Sequence, residues 1–566
     1  MEVRNTQKRI APSALMFGVC YMGCITALYL SIGGFMTEFL GMPIALSNLK
    51  KSTFIIIAFI AVWFIFAKDS MPKVVRLIEY VEGISLKKHK IIACLLGLMV
   101  AVYLSLLKVQ QHLVFQTTAY DLGLQASVAW NTIHGRLFHE SLQNINYLGD
   151  HFSPIYLVLS PFYLIWENAA TLLIIQSIGI GLASIALYFL TLEKTHQKWL
   201  AISMTSLFLF NPYLHQISTF DFHPIALAIP IFLWILYCME KGQRTSVIVL
   251  SLLAITVEET LLPPLIGLGL YMSIFHKDFR RIGYSIALLA TVCFVLELKA
   301  GMPYFLKEDR LTHIGRYTNL GGNSLDEIVR ALVRNPLIFF RELVLPFQKV
   351  TSLLLLFLPV GFLPCFSPQT LILLLLPIVP IVVSNYAPQW ALDAQYSATT
   401  LPFLFFGSVY GLNRLQSFLK RLWARWGSFS SASAARVACL LSLMLLSYNL
   451  YCSPSYVGKW SRTHVEAIAN FIKEIPPTAS VCATYNIIPH LINRQHVVMF
   501  GTFNRDALDL RKADYLLIDT QSNGWPLSKE EFPQAVAEVY QSKAYILFKE
   551  HDGVVLLKRK TTSDAT

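Results

Sequence analysis

The chain has 566 residues, of which 55% are apolar or aromatic and 14% charged, and its mean hydropathy is +0.53. That composition excludes a string of soluble domains and points to a polytopic membrane protein. The net charge of +12 does not point to nucleic acid, because Lys and Arg gather between apolar runs, where they set topology. The nine cysteines are scattered, with no CxxC and no Cys/His ligand spacing, so neither zinc nor a disulfide framework is expected from them.

In chain order, a basic N-terminus (MEVRNTQKR) precedes an apolar stretch that is too long for a signal peptide and lacks an A-x-A-like site. It reads as a retained span. Thirteen apolar runs read as spans: 12–35, 53–67, 90–107, 169–191, 199–212, 223–239, 245–257, 260–275, 282–300, 350–364, 368–384, 397–412 and 434–451. Segments 68–90, 276–281 and 413–426 are rich in Lys and Arg and are expected in the cytoplasm. The N-terminus is then inside. Loops 108–168, 213–222 and 301–349, the turn at Glu258, segment 385–396 and the region from about Ser453 are outside. For this to hold, 153–166 must not cross; its two prolines and short length suit an interfacial or re-entrant helix. The expected fold is mostly α, a transmembrane helix bundle with a small C-terminal extracytoplasmic α/β domain. Its divisions are 1–89 (extra spans and a basic loop), 90–452 (the transmembrane domain) and 453–566.

The unusual polar residues near spans fall on the external face. Asp121, Asp150 and His151 come from the first large loop, Asp221 and His223 from FDFHP, and Asp393, Gln395 and Tyr396 from LDAQYS. Glu258 and Glu259 interrupt an apolar stretch. Adjacent carboxylates there would each cost about 2.5–3.5 kcal/mol at the centre of a lone helix, so the stretch breaks or faces a wet cavity. Plainer readings exist for the others. Asp221 and Asp121 can each cap a helix, and His151 and His223 can be ordinary hydrogen-bonded histidines. A cleft lined by these groups is nonetheless the expected active site.

The ordered set YDLG, WNTIHG, GDHFSP, FDFHP, the acidic pair and QYSA resembles a family of bacterial predicted multi-pass membrane proteins of unknown function, grouped with the GT-C glycosyltransferases. The resemblance covers roughly residues 90–560. It implies transfer of a sugar from a polyprenyl-phosphate carrier, often metal-assisted, to a lipid, glycan or protein acceptor at the external face of the bacterial inner membrane. The chain departs from the group's pattern in having a lone Asp121 rather than DD, DxD or ExD. Asp121 is the expected base, with Asp150, Glu258 and Glu259 as further catalytic candidates. Asp150, His151, Asp221 and His223 offer carboxylate and imidazole ligands for Mg or Mn. Arg316 and Arg310 can meet the phosphate, and Gln395 and Tyr396 the substrate. No P-loop, GxGxxG or soluble DxD is present, which argues against nucleotide chemistry. The rivals are a transporter or flippase and a non-catalytic membrane scaffold.

Beyond residue 455 the pattern changes. HVEAIANFIKEI reads as an amphipathic helix, and SVCAT, HVVMF, YLLID and YILFKEHDGVVLLKRK as strands, the last a hairpin around His551-Asp552-Gly553. Asn486, His490 and Arg494 lie on its loops, either solvated or in contact with the acceptor. Residues 561–566 read as a disordered tail.

Overall fold

The computed structural model describes residues 76, 79–306, 312–426, 460–501 and 513–560, together with the two-residue strands Glu38–Phe39 and Met42–Pro43. The expected spans 12–35, 53–67 and 434–451, Arg310 and the tail lie outside the described residues.

Among the described residues, three helices are long and apolar enough to cross a bilayer: α1 (Leu86–Leu113), α2 (Ala170–Thr195) and the run Lys277–Leu306. Ser85 caps α1 by accepting from Lys88 N. Glycine lets α1 and α2 touch. A Cβ at Gly97 would lie 2.9 Å from Gly181 O, and one at Gly181 would lie 2.5 Å from Gly97 O, so the backbones meet where a side chain would hold them apart.

Five shorter apolar helices, Lys198–Leu209, Pro224–Glu240, Arg244–Ile255, Glu259–Phe275 and Pro368–Val383, stand close to expected spans. A twelve-residue helix such as Lys198–Leu209 is only about 18 Å long, short of the hydrocarbon thickness. Expected span 350–364 lies mostly in Gln348–Val360, which follows Leu337–Val344 across a 64° bend. Expected span 397–412 becomes the longer helix Leu401–Trp426.

Two expected loops are structured. In 213–222, Asn211 accepts from Tyr213 N and Leu214 N and starts a helix at Pro212–Thr219, a cap signal the sequence reading passed over. In 301–349, a 3₁₀ run (Thr312–Leu320) precedes helices Leu325–Arg334 and Leu337–Val344. The run 153–166 holds no helix long enough to cross a bilayer. It makes two short turns, Tyr156–Leu159 and Ser160–Leu164, with Leu157, Val158, Phe162, Leu164, Ile165 and Trp166 exposed.

Residues 460–560 form an α/β unit. Strands β1 (Val481–Ala483), β2 (Val497–Met499), β3 (Tyr515–Asp519), β4 (Tyr545–His551) and β5 (Val554–Arg559) lie in the order β2-β1-β3-β5-β4. β1 pairs parallel with β2 and β3, and β5 pairs antiparallel with β3 and β4. The hairpin turns at Asp552 and Gly553, both at positive φ, which matches the twist of the strands it joins. Helix Arg462–Lys473 agrees with the expected amphipathic helix, while Glu531–Gln541 was not anticipated.

This unit is docked on the bundle. His490 stacks on His112 of α1 with centroids 3.9 Å apart, Ile488 and Pro489 pack over Gly123, and Asn493 donates to Glu167 O at 2.6 Å.

Candidate active site

Asp121 lies in a wide turn, Ala119–Gly123, that leads into helix Leu124–Ile133. Such π-type turns often mark functional positions. Its carboxylate is committed to side chains rather than to capping: Thr118 Oγ1 donates to Oδ2 at 2.7 Å, and His223 Nε2 stands 3.2 Å from Oδ1. The same Thr118 ties Asp121 to Asp221: its N–H donates to Asp221 Oδ2 at 2.8 Å, and its hydroxyl oxygen also lies 3.0 Å from that Oδ2, so the single hydroxyl proton is shared between the two carboxylates. Beneath them Lys108 Nζ donates to Thr219 O at 2.8 Å and stands 3.9 Å from Asp221 Oδ1. Lys108 and Asp221 side chains are 1% and 7% exposed, whereas that of Asp121 is 31% exposed. The arrangement is therefore a buried ion pair supporting a carboxylate that is partly open.

Burial pushes the Asp121 carboxyl up, but the hydrogen bond and charge of His223, the Thr118 hydroxyl and Lys108 together hold it below the ordinary value. Burial pushes His223 down, and Asp121 more than reverses this, so the imidazole is held above its usual value. Asp221 is raised, by burial first, against the pull of Lys108.

A second group lies around His151. Its Nδ1 is 2.8 Å from Glu259 Oε1, and Glu259 Oε2 accepts from Phe152 N at 2.9 Å. On its other side Nε2 faces His313 Nε2 at 3.1 Å, and His313 Nε2 is 3.5 Å from Asp150 Oδ1. Burial lowers His151, yet Glu259, Asp150 and Glu258 raise it to about 10. Burial and the charge on His151 take His313 down to about 4. The two imidazoles share one hydrogen bond through these nitrogens.

The same atoms fit an ion. Bonds of about 2.0–2.1 Å set ligands on a tetrahedral metal about 3.3–3.4 Å apart, close to the spacings here. Asp150, His151 and His313 converge within 4.8 Å, and Glu259 orients His151 as an outer carboxylate does for a metal-bound imidazole. Asp221 and His223, expected alongside Asp150 and His151, belong instead to the Asp121 group, where Lys108, Thr118 and Asp121 already engage them.

Glu258 receives the Thr260 hydroxyl and lies near enough to both His151 and His223 to feel their charges. It stands between the two groups. Arg316 lies over the rings of Tyr386 and Tyr396 at 4.9 and 5.9 Å, and Tyr396 also senses Asp121. Gln395 Oε1 is buried without a hydrogen-bond partner. Asp393, expected at the mouth of a span, is partly buried, which raises its carboxyl.

Three residues escaped the sequence reading. Lys108 was read as the first residue of the external loop 108–168, whereas α1 runs on to Leu113 and places it in the last turns of an apolar helix, where a lone lysine needs a partner. Thr118 carries no signal of its own. His313 sits three residues before Arg316 in THIGRY, in a loop whose fold the sequence did not disclose.

The chain is similar to the crystal structure of ArnT from Cupriavidus metallidurans bound to undecaprenyl phosphate, at 10% identity over 83% of this chain and 98% of that one, with a TM-score of 0.44. It is similar also to the apo state of ArnT from the same organism, at 11% identity over 81% and 97%, with a TM-score of 0.43. No curated protein matches the chain. A family model matches residues 111–556, most of the chain, and the protein belongs to that family, described as predicted membrane protein (DUF2079).

Proposed function

We propose that this membrane protein is a glycosyltransferase that moves a sugar from a polyprenyl-phosphate carrier to an acceptor. The observation that carries this reading is the Asp121 carboxylate, kept ionised by His223 and Thr118 and partly open, with Arg316 and Tyr396 close by. The acceptor oxygen bonds to the anomeric carbon, and the bond from that carbon to the phosphate oxygen breaks with its electron pair left on the phosphate. Asp121 takes the acceptor proton. Arg316, which has no carboxylate within ion-pair distance among the described residues, meets the departing phosphate.

Asp150, His151 and His313 hold a divalent ion. Two imidazoles favour Zn over Mg or Mn, and when bound the ion would supply positive charge to the site.

The bundle spans the bacterial inner membrane thirteen times, with the N-terminus in the cytoplasm and 453–566 outside. Lys194 and Arg414 support this orientation. They line a polar pocket at the C-terminal end of α2, while the domain carrying Asn493 meets Glu167, just before its N-terminal end.

The test is transfer by purified protein from a panel of polyprenyl-phosphate sugars. Transfer from at least one carrier, lost in Asp121→Asn, is expected. Undiminished turnover in that variant refutes the assignment.

A further inference from the structure

In an open α/β sheet, ligands bind beyond the carboxyl ends of parallel strands, where successive connections leave in opposite directions. β1 and β3 are such a pair. The chain leaves β1 toward β2 on one side and leaves β3 toward β4 on the other. Just past these ends stand Tyr485, two residues after β1, and Trp525, six residues after β3. Their rings meet at an angle of 66° with centroids 6.4 Å apart. Trp525 also meets the ring of Tyr120 edge-on at 5.4 Å, and Tyr120 is the neighbour of Asp121. Tyr485 lies close enough to Asn523 and Asp221 to sense both. The binding edge of the C-terminal sheet therefore opens onto the Asp121 group.

Trp525 remains 47% exposed although it touches two aromatic rings. Three crossed rings beside a carboxylate suit a pyranose, whose C–H face stacks on aromatics while its hydroxyls reach polar groups. A carrier whose chain lies in the bilayer has to approach from the side of the helix bundle, whose connecting segments carry Arg316 and Tyr396. The sheet domain is the side open to water.

We propose that Tyr120, Tyr485 and Trp525 form a stacking site for a pyranose ring of a glycan acceptor, so that the C-terminal domain selects the acceptor. This rests on the glycosyl-transfer reading and adds the acceptor class to it.

The experiment is saturation-transfer NMR with wild-type protein in lipid nanodiscs. The probes are the methyl glycosides of glucose, mannose, galactose, rhamnose and N-acetylglucosamine. At least one should receive saturation. The signal should fall about fivefold or more in Trp525→Ala and Tyr485→Ala, and persist in Tyr485→Phe, which keeps the ring. Circular dichroism and melting temperature check that each variant is folded. Absence of saturation for every glycoside, or equal saturation in folded Trp525→Ala, overturns the stacking site, even if transfer activity is present. Binding that depends on Trp525 in a protein that transfers no sugar leaves the stacking site standing and counts against the glycosyl-transfer reading.

Discussion

Replacing Lys108 by Met probes the base of the site. The lysine is enclosed, with Nζ bonded to Thr219 O at 2.8 Å and 3.9 Å from Asp221 Oδ1. At that separation two unit charges attract by about 4 kcal/mol at the effective dielectric that best describes protein sites. Methionine matches the stem of the lysine but leaves Asp221 buried with only its two bonds from Thr118. Stranding one member of a buried pair costs about 3–5 kcal/mol, a large share of the roughly 5–15 kcal/mol that holds a domain folded. Lys108→Met should therefore lower the melting temperature and the yield of monodisperse protein sharply. The double variant Lys108→Met/Asp221→Asn removes both charges and should recover most of the loss. Activity should fall in the single variant even where protein survives, because Thr118 bridges Asp221 to Asp121. Thermal melts of the wild type, both single variants and the double variant yield the coupling. If Lys108→Met melts like the wild type, or the double variant is no better than the single, the ion pair does not support the site.

Asp121→Asn should cost about 10²–10⁴-fold in transfer rate with little change in melting, since the amide keeps the shape and can still accept from Thr118. The Asp121–His223 pair sets a pH window. The lowered carboxyl contributes stability above its ordinary value of 3.8 and loses it as pH falls through the still lower folded value. The raised imidazole contributes fully below 6.5 and loses its contribution as pH rises through the folded value. The melting difference between wild type and His223→Phe should peak between those two ordinary values and shrink above them; a difference independent of pH would contradict the pairing. Zn should raise the melting temperature of the wild type and release a proton from His151, and His313→Ala should abolish both effects; equal stabilisation of the variant would rule out the three-residue site. A reporter active only outside the cytoplasm, fused after Thr566, should be active, and silence there would reverse the orientation.

What the sequence determined by itself was whatever depends on local pattern. Apolar runs marked the apolar helices of the bundle, because a membrane or core helix has to be apolar along much of its length, but not the helices Pro212–Thr219, Leu325–Arg334 and Glu531–Gln541. Short, continuous apolar runs in HVVMF and YLLID marked strands of the C-terminal sheet, and His551-Asp552-Gly553 marked its hairpin. Asp121, His223, Asp221, Glu258, Glu259 and His151 stood out because charge beside an apolar run is costly and therefore conspicuous.

The tertiary structure decided the partnerships. Asp121 reaches His223, His151 reaches Glu259, and Lys108 reaches Asp221, each pair separated by about a hundred residues in the chain. No short-range pattern encodes such distances. They arise from how α1 crosses α2 at Gly97 and Gly181, from the break at Glu258, and from the loop that brings His313 back to His151. The division of the acidic and histidine residues into two groups was likewise invisible in the sequence. A carboxylate looks the same in a sequence whether its partner is a lysine, an imidazole or a metal, and only packing selects among them.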